Sequence, residues 1–326
     1  MTKMIRRRTV VAVSAIAAPM LARHGWAQST YPNKQIRMVV PFATAGTTDL
    51  LGRIAAQHLT EVWGQTVVVD NKSGAGGNLG AEIVAKAPAD GYTLLIVSIA
   101  HAVNPALYKL PYDSLKAFTP ISLFASSPNA LAVNPDVPAK SVKEFIALAK
   151  SKPGDIQYGS GGVGGSLHLG MELFKLTTGI DLVHVPFRGA GPAIIDVAGG
   201  HTKAIMATIA TLSPHVRSGK LRMLGVSGKT RSAVLPDVAT FDEQGVTGYE
   251  AGNWIGIAAP AGTPPAVIAR LNKEIATIQD SADFKSKLDA DGAVVVKFTP
   301  AEFSTFMASE LEKWGRVVKD ANIKAE

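Results

Sequence analysis

Gly159-Ser160-Gly161-Gly162-Val163-Gly164-Gly165-Ser166 joins a short apolar run, Ile156 to Tyr158, to a segment from Ser166 to Thr177 with helical periodicity. A strand that feeds a helix through so much glycine has three readings. Gly159, Gly161 and Gly164 satisfy the dinucleotide spacing GxGxxG, but the acid expected about 20 positions on, Asp181, opens the next strand, whereas ribose recognition needs one at its far end. A plain structural turn is the second reading. The third is an anion site, because a glycine-rich backbone presents several N–H groups at the positive end of a helix dipole. The chemistry favours the third.

The same alternation extends outward in both directions. Upstream lie Gln35 to Pro41, a helical face of Leu51, Ile54, Ala55, Leu59 and Val62 that Gly64 stops, strand-like Thr66 to Val69, a helix with Ile83 and Val84, and Thr93 to Val97. Ala130 to Val133 and a helix opened by the capping box Ser141 to Glu144 lead into the Gly-rich segment. Downstream, strands are expected near Leu182 to Val185, Ala204 to Thr208, Met223 to Val226 and Ile255 to Ala259. Two long helices close the chain, one after Pro264-Pro265 and one after the capping box Thr299 to Glu302. Strand and helix taken in turn predict an α/β protein with parallel crossovers. Breaks near Ser126-Ser127-Pro128 and Gly248 to Gly252 would take the chain twice between lobes: 28–127 with 251–326, and 128–250. Two crossings make a hinge.

Residues 1–27 read as a signal peptide: Lys3, Arg6, Arg7 and Arg8, a mostly apolar run from Val10 to Leu21, then Gly25-Trp26-Ala27 before Gln28. The run is shorter than the roughly 20 residues of a membrane span. Ordinary secretion is the first expectation and twin-arginine export through Arg6-Arg7 the second. Removing this segment takes five of the 33 basic residues and none of the 26 acidic ones, so the formal charge falls from +7 to +2. So small a charge gives no electrostatic case for nucleic acid or an anionic membrane as partner. The absence of cysteine excludes disulfides, thiolate nucleophiles and thiolate metal sites.

Other motifs carry less. Gly74-Ala75-Gly76-Gly77-Asn78-Leu79-Gly80 places its third glycine one position late for a dinucleotide turn and reads as structural. Gly228-Lys229-Thr230 resembles the end of a phosphate loop, but Met223 stands where the first glycine must be. There is no GxSxG elbow, HExxH pair or metal-spaced cluster, so no catalytic residue, metal or cofactor is assigned. His58 reads as a core or rim histidine. His101, His168, His184 and His215 fall in separate elements. Among them His168, in the first turn after Ser166, could reach an anion or serve structure.

Six ordered blocks carry a family resemblance: Pro41-Phe42 through Asp49; Val67 to Asn71 with Gly74 to Asn78; Ala89 to Leu94; Tyr158 through His168; His184 to Ala190; and Pro260 to Pro265. Over nearly its whole mature length the chain resembles the Bug-type extracytoplasmic solute receptors of tripartite tricarboxylate transporters. The resemblance implies a two-lobed Venus-flytrap fold, two mixed sheets flanked by helices, which binds a small organic carboxylate and delivers it to a membrane permease. It implies a periplasmic protein, expected to be a monomer, that is not an enzyme. The ligand would be held by Phe42, Thr44, Ala45, Gly46, Thr47 and Asp49 on one side. On the other it would meet Ser160, Gly161, Gly164, Gly165, Ser166 and His168, with Arg188, Gly189, Ala190, Ala207 and Thr208 nearby. Asp49 is expected as a helix N-cap shaping its loop, and Arg188 as a turn-fixing residue or a carboxylate partner. Thr44 and Ala45 depart from the family pattern, as does Lys203 to Thr208, where relatives often carry an aspartate. Without an acid there, an ammonium group lacks a counter-charge, so an acid with an apolar body is expected over an amino acid. A sensory receptor for a membrane partner, or an exported hydrolase, are the alternatives.

Overall fold

In the computed structural model, residues 31–44, 47–290 and 292–324 are described. The expected signal segment, residues 1–27, and Ala45 and Gly46 of the expected site lie outside them. The elements in chain order are β1 (Ile36–Val40), α1 (Thr47–Trp63), β2 (Val67–Asn71), α2 (Asn78–Ala85), β3 (Thr93–Ser98), α3 (Ile99–Leu107) and β4 (Phe118–Val133). Next come α4 (Val142–Ser151), β5 (Gln157–Ser160), α5 (Ser166–Thr178), β6 (Val183–Pro186), α6 (Ala190–Ala198), β7 (Ala204–Thr208), α7 (Ile209–Arg217) and β8 (Arg222–Val226). β9 (Gly252–Pro260), α8 (Pro265–Asp280), α9 (Ala282–Ala290), β10 (Val294–Val295) and α10 (Pro300–Asp320) complete the chain.

The β-branched runs of β1 and β2 pair in parallel, and β3 flanks β1 on its other side, also in parallel. β9 then pairs antiparallel with β3 and with β4, so the order is β2-β1-β3-β9-β4. In the second group β5 pairs in parallel with β6 and β7, and β7 and β8 both pair antiparallel with β4. This is a mixed α/β architecture. It agrees with the expected mixed sheets flanked by helices: the antiparallel members are β9, between β3 and β4, and β4 itself, which runs on from the first group to pair with β7 and β8 in the second.

β4 was legible only in its last quarter, Ala130 to Val133. It is a 16-residue strand containing Pro120 and Pro128. Proline donates no ladder bond and normally marks an edge or a bulge. Here the register shifts just after Pro120, and Pro128 faces Gly252 at the last pair with β9. From Asn129 onward β4 pairs with β7 instead, Asn129 facing Thr208. The Ser227 hydroxyl stitches the change of partner, accepting the Asn129 N–H at 2.9 Å and donating to the Ala251 carbonyl.

Beyond this point the strand alternates with period 2. Leu131 and Val133 face one apolar cluster with Tyr158, Phe174 and Met206, while Ala130 and Ala132 face another with Ile205, Ala207 and Val226. Along α10, Phe303, Met307, Trp314, Val317 and Val318 are buried, while Phe306 and Leu311 pack at the margin of the same core. Among the described residues no helix is long and apolar enough to cross a membrane.

Candidate anion-binding edge

Parallel pairing places the C-terminal ends of β5, β6 and β7 at one sheet edge, which is where α/β sheets bind ligands. The three connections leaving that edge are the Gly-rich loop, Phe187 to Gly189, and Thr208. The first two are clamped together: Phe187 N–H donates to Ser160 O at 2.9 Å and Gly189 N–H to Gly161 O at 3.2 Å. A Cβ on Gly161 would lie 3.1 Å from Ala190 N, so only glycine admits this approach. Gly164 is doubly constrained. Its φ is 71°, and a Cβ there would stand 2.9 Å from Leu107 Cδ1, at the end of α3.

The helices start without caps at this edge. Gly165 precedes α5, Gly189 precedes α6 and Thr208 precedes α7, and no side chain caps any of them. Thr208 turns its hydroxyl to Thr211, 3.1 Å away. The N–H groups of Val163, Gly165 and Ser166 make no hydrogen bond among the described residues, so the entrance to α5 offers open donors. Arg188 is exposed and, among the described residues, has neither hydrogen bond nor ion pair. It fixes no turn. The backbone clamp does that, and the guanidinium stays available to an anion.

Two predicted contacts lie beneath the loop. Ser160 is 1% exposed. Its hydroxyl oxygen sits 3.1 Å from Gly162 O, accepts Gly162 N–H at 3.2 Å and lies 2.6 Å from His184 Nε2. His168 is buried and its Nδ1 accepts Gly164 N–H at 3.0 Å, so the ring supports the loop from within. Desolvation, then His184 and Lys175, push its pKa down to about 3. Below it, Glu172 accepts from Tyr158 at 2.5 Å and Lys175 at 2.9 Å, and burial pushes the Tyr158 phenol up. The His168–His184 stack had no sequence signal except that each residue sits one helical turn or one strand end from the loop. Ala207 is fully buried among the apolar residues under α6 and α7, so its methyl faces core.

At the matching edge of the first group, β1, β2 and β3 end at Val40, Asn71 and Ser98. Asp49 is the third residue of α1, not its N-cap. Its carboxylate accepts from Arg53 and Asn71, both at 2.9 Å. Asn71 also donates to Phe42 O at 3.0 Å, which ties the loop after β1 to β2. Phe42 is half-buried, whereas Thr44 and Thr47 are exposed. A cavity of about 580 Å³ adjoins the partner change in β4, with Pro128, Ser227, Gly252, Trp254 and Phe306 in its wall. It is lined by none of the predicted site residues, so cavity size does not select this edge.

The fold is that of periplasmic binding proteins. The model of the tripartite tricarboxylate transporter family receptor, TctC, matches residues 51–323, and the chain belongs to that family. BugT of Bordetella pertussis is 37% identical over 96% of this chain and 95% of its own length. An R. palustris protein solved with adipate is 35% identical, with a TM-score of 0.74 over 90% of this chain and 99% of that one. MatC from Rhodopseudomonas palustris, solved with bound malate, is 31% identical, with a TM-score of 0.71 over 88% of this chain and 100% of its own.

Proposed function

We propose that this protein is a periplasmic receptor that binds a small organic mono- or dicarboxylate and delivers it to the membrane permease of a tripartite transporter, without performing chemistry on it. The observation that carries this reading is the row of N–H donors at the entrance to α5 that, like the Arg188 guanidinium, have no partner among the described residues. Adipate and malate in the two related structures are ligands of the same charge class. One carboxylate meets these amides, and the loop Phe42 to Asp49 faces it from the other lobe. The lobes, 28–127 with 251–326 and 128–250, close about β4 and β9. A ligand shifts that equilibrium only because it touches both sides. Residues 1–27 direct export and leave a monomer beginning at Gln28.

The segment Lys203 to Thr211 carries no acidic side chain, and Ala207 turns its methyl inward. An acid with an apolar body is therefore bound in preference to an amino acid. Mass spectrometry of ligand released from natively purified protein, followed by calorimetry with adipate and malate, tests the class. Thermal shift then compares succinate with aspartate and glutarate with glutamate. Stronger stabilisation by either amino acid overturns the ligand preference. Absence of binding by every carboxylate overturns the function.

A further inference from the structure

The Gly-rich loop rests on a column of rings. His168 and His184 stack with centroids 3.8 Å apart and planes 13° from parallel, and Tyr158 stacks on His184 at 5.0 Å. Each imidazole sends one nitrogen up into the loop. His168 Nδ1 accepts Gly164 N–H, which requires a bare Nδ1 and places the ring proton on Nε2, facing Glu172 Oε1 at 3.8 Å. His184 Nε2 meets Ser160 Oγ, the acceptor for Gly162 N–H. That hydroxyl owns one proton. Given to Gly162 O, it leaves His184 as the donor to Oγ.

The amides of Gly162 and Gly164 are therefore spent inward, while those of Val163, Gly165 and Ser166 make no hydrogen bond among the described residues. This pattern needs the positive φ of Gly162 and Gly164, 132° and 71°. Resting on the carboxylate reading above, we propose that His168 and His184 are positioning residues that turn the Gly162 and Gly164 amides inward, so that the carboxylate is received by the N–H groups of Val163, Gly165 and Ser166. The groups facing the pair are Ser160 and Tyr158 from β5 and Glu172 and Lys175 from α5. Burial keeps His168 neutral, so its Nδ1 remains an acceptor at neutral pH.

The test separates ring packing from hydrogen bonding. His168→Phe and His184→Phe keep a ring without the nitrogen, whereas His168→Asn restores an acceptor near Nδ1 and His184→Gln a donor near Nε2. Calorimetry with adipate and malate is paired with melting temperature and amide NMR. The Phe variants are expected to lose about tenfold or more in affinity, since bonds to a charged group then form from misdirected donors. Asn and Gln should recover most of it, with the Gly164 and Gly162 amide shifts returning accordingly. Phe variants that bind like wild type, or Asn and Gln variants that rescue nothing, overturn the proposal. If the Phe variants do not fold, Ser160→Ala removes the acceptor of Gly162 N–H together with the partner of His184 Nε2 while leaving both rings in place, and unchanged affinity there overturns it equally. If wild type binds no carboxylate, the proposed function fails while NMR still decides this inference: a Gly164 amide indifferent to His168→Phe sinks it, and one that moves and is restored by Asn supports it.

Discussion

α4 and α10 begin differently from α5, α6 and α7. At α4, Ser141 accepts the Glu144 N–H at 3.1 Å and Glu144 reaches back to the Lys140 N–H at 2.7 Å. At α10, Thr299 accepts the Glu302 N–H and Glu302 accepts the Thr299 N–H, the two halves of a capping box. The three helices that leave the C-terminal edge of β5, β6 and β7 have no side-chain cap. A cap and an anion compete for the same first-turn amides. α2, α3 and α8 also lack a side-chain cap, so what sets the β5–β7 edge apart is that three uncapped helix starts meet at one sheet edge.

Closing an open start should do the most to break this contrast. Gly165 has φ −71° and ψ 161°, the extended conformation of an N-cap, and a Cβ there would lie 3.5 Å from Gly162 O, an ordinary contact. Gly165→Asp supplies an internal carboxylate to the α5 amides. The unliganded protein should gain about 1 kcal/mol, while affinity for adipate or malate falls tenfold or more. Calorimetry and thermal melts check both, and unaltered affinity would place the ligand elsewhere. Removing existing caps should do the reverse: Ser141→Ala and Thr299→Ala each cost about 1 kcal/mol in denaturant melts and leave affinity unchanged.

The smallest effect is pH-dependent. The Thr299 backbone N–H, followed by its hydroxyl, holds the Glu302 carboxyl below its usual value. A depressed carboxyl contributes stability that is present above the unfolded pKa, near 4.3, and lost as pH falls through the lower folded value. The advantage of wild type over Glu302→Gln should therefore be present at pH 6 and fade by pH 3. An advantage that persists at pH 3 would show that the charge plays no part in the cap.

Local chemistry made much of this legible in advance. β7 occurs where Ala204 to Thr208 predicted it, and α5 extends its predicted end by one residue to Thr178. The capping box at Thr299 and Glu302 formed as expected, whereas at α4 only its Ser141 half did, Glu144 reaching past Ser141 to the Lys140 N–H. α3, α6 and α7 were missed, since each is a short helix of nine residues beginning directly at or just after a strand or loop, without a capping signature. β4 was cut short because proline reads locally as a stop, and only the exchange of β9 for β7 explains how Pro128 is tolerated.

The sequence alone determined that a glycine-rich backbone opens a helix at residues 159–166, because glycine content and apolar period are properties of neighbours along the chain. Only the tertiary structure decided which amides stay open there. That choice depends on His184, 24 residues from Ser160, and on His168 stacking against it. The bonds from Gly162 and Gly164 are local, to Ser160 and His168, but the His184 contact to Ser160 Oγ and the ring stack exist only once β6 has paired beside β5. Spacing along a chain carries no information about such a pairing.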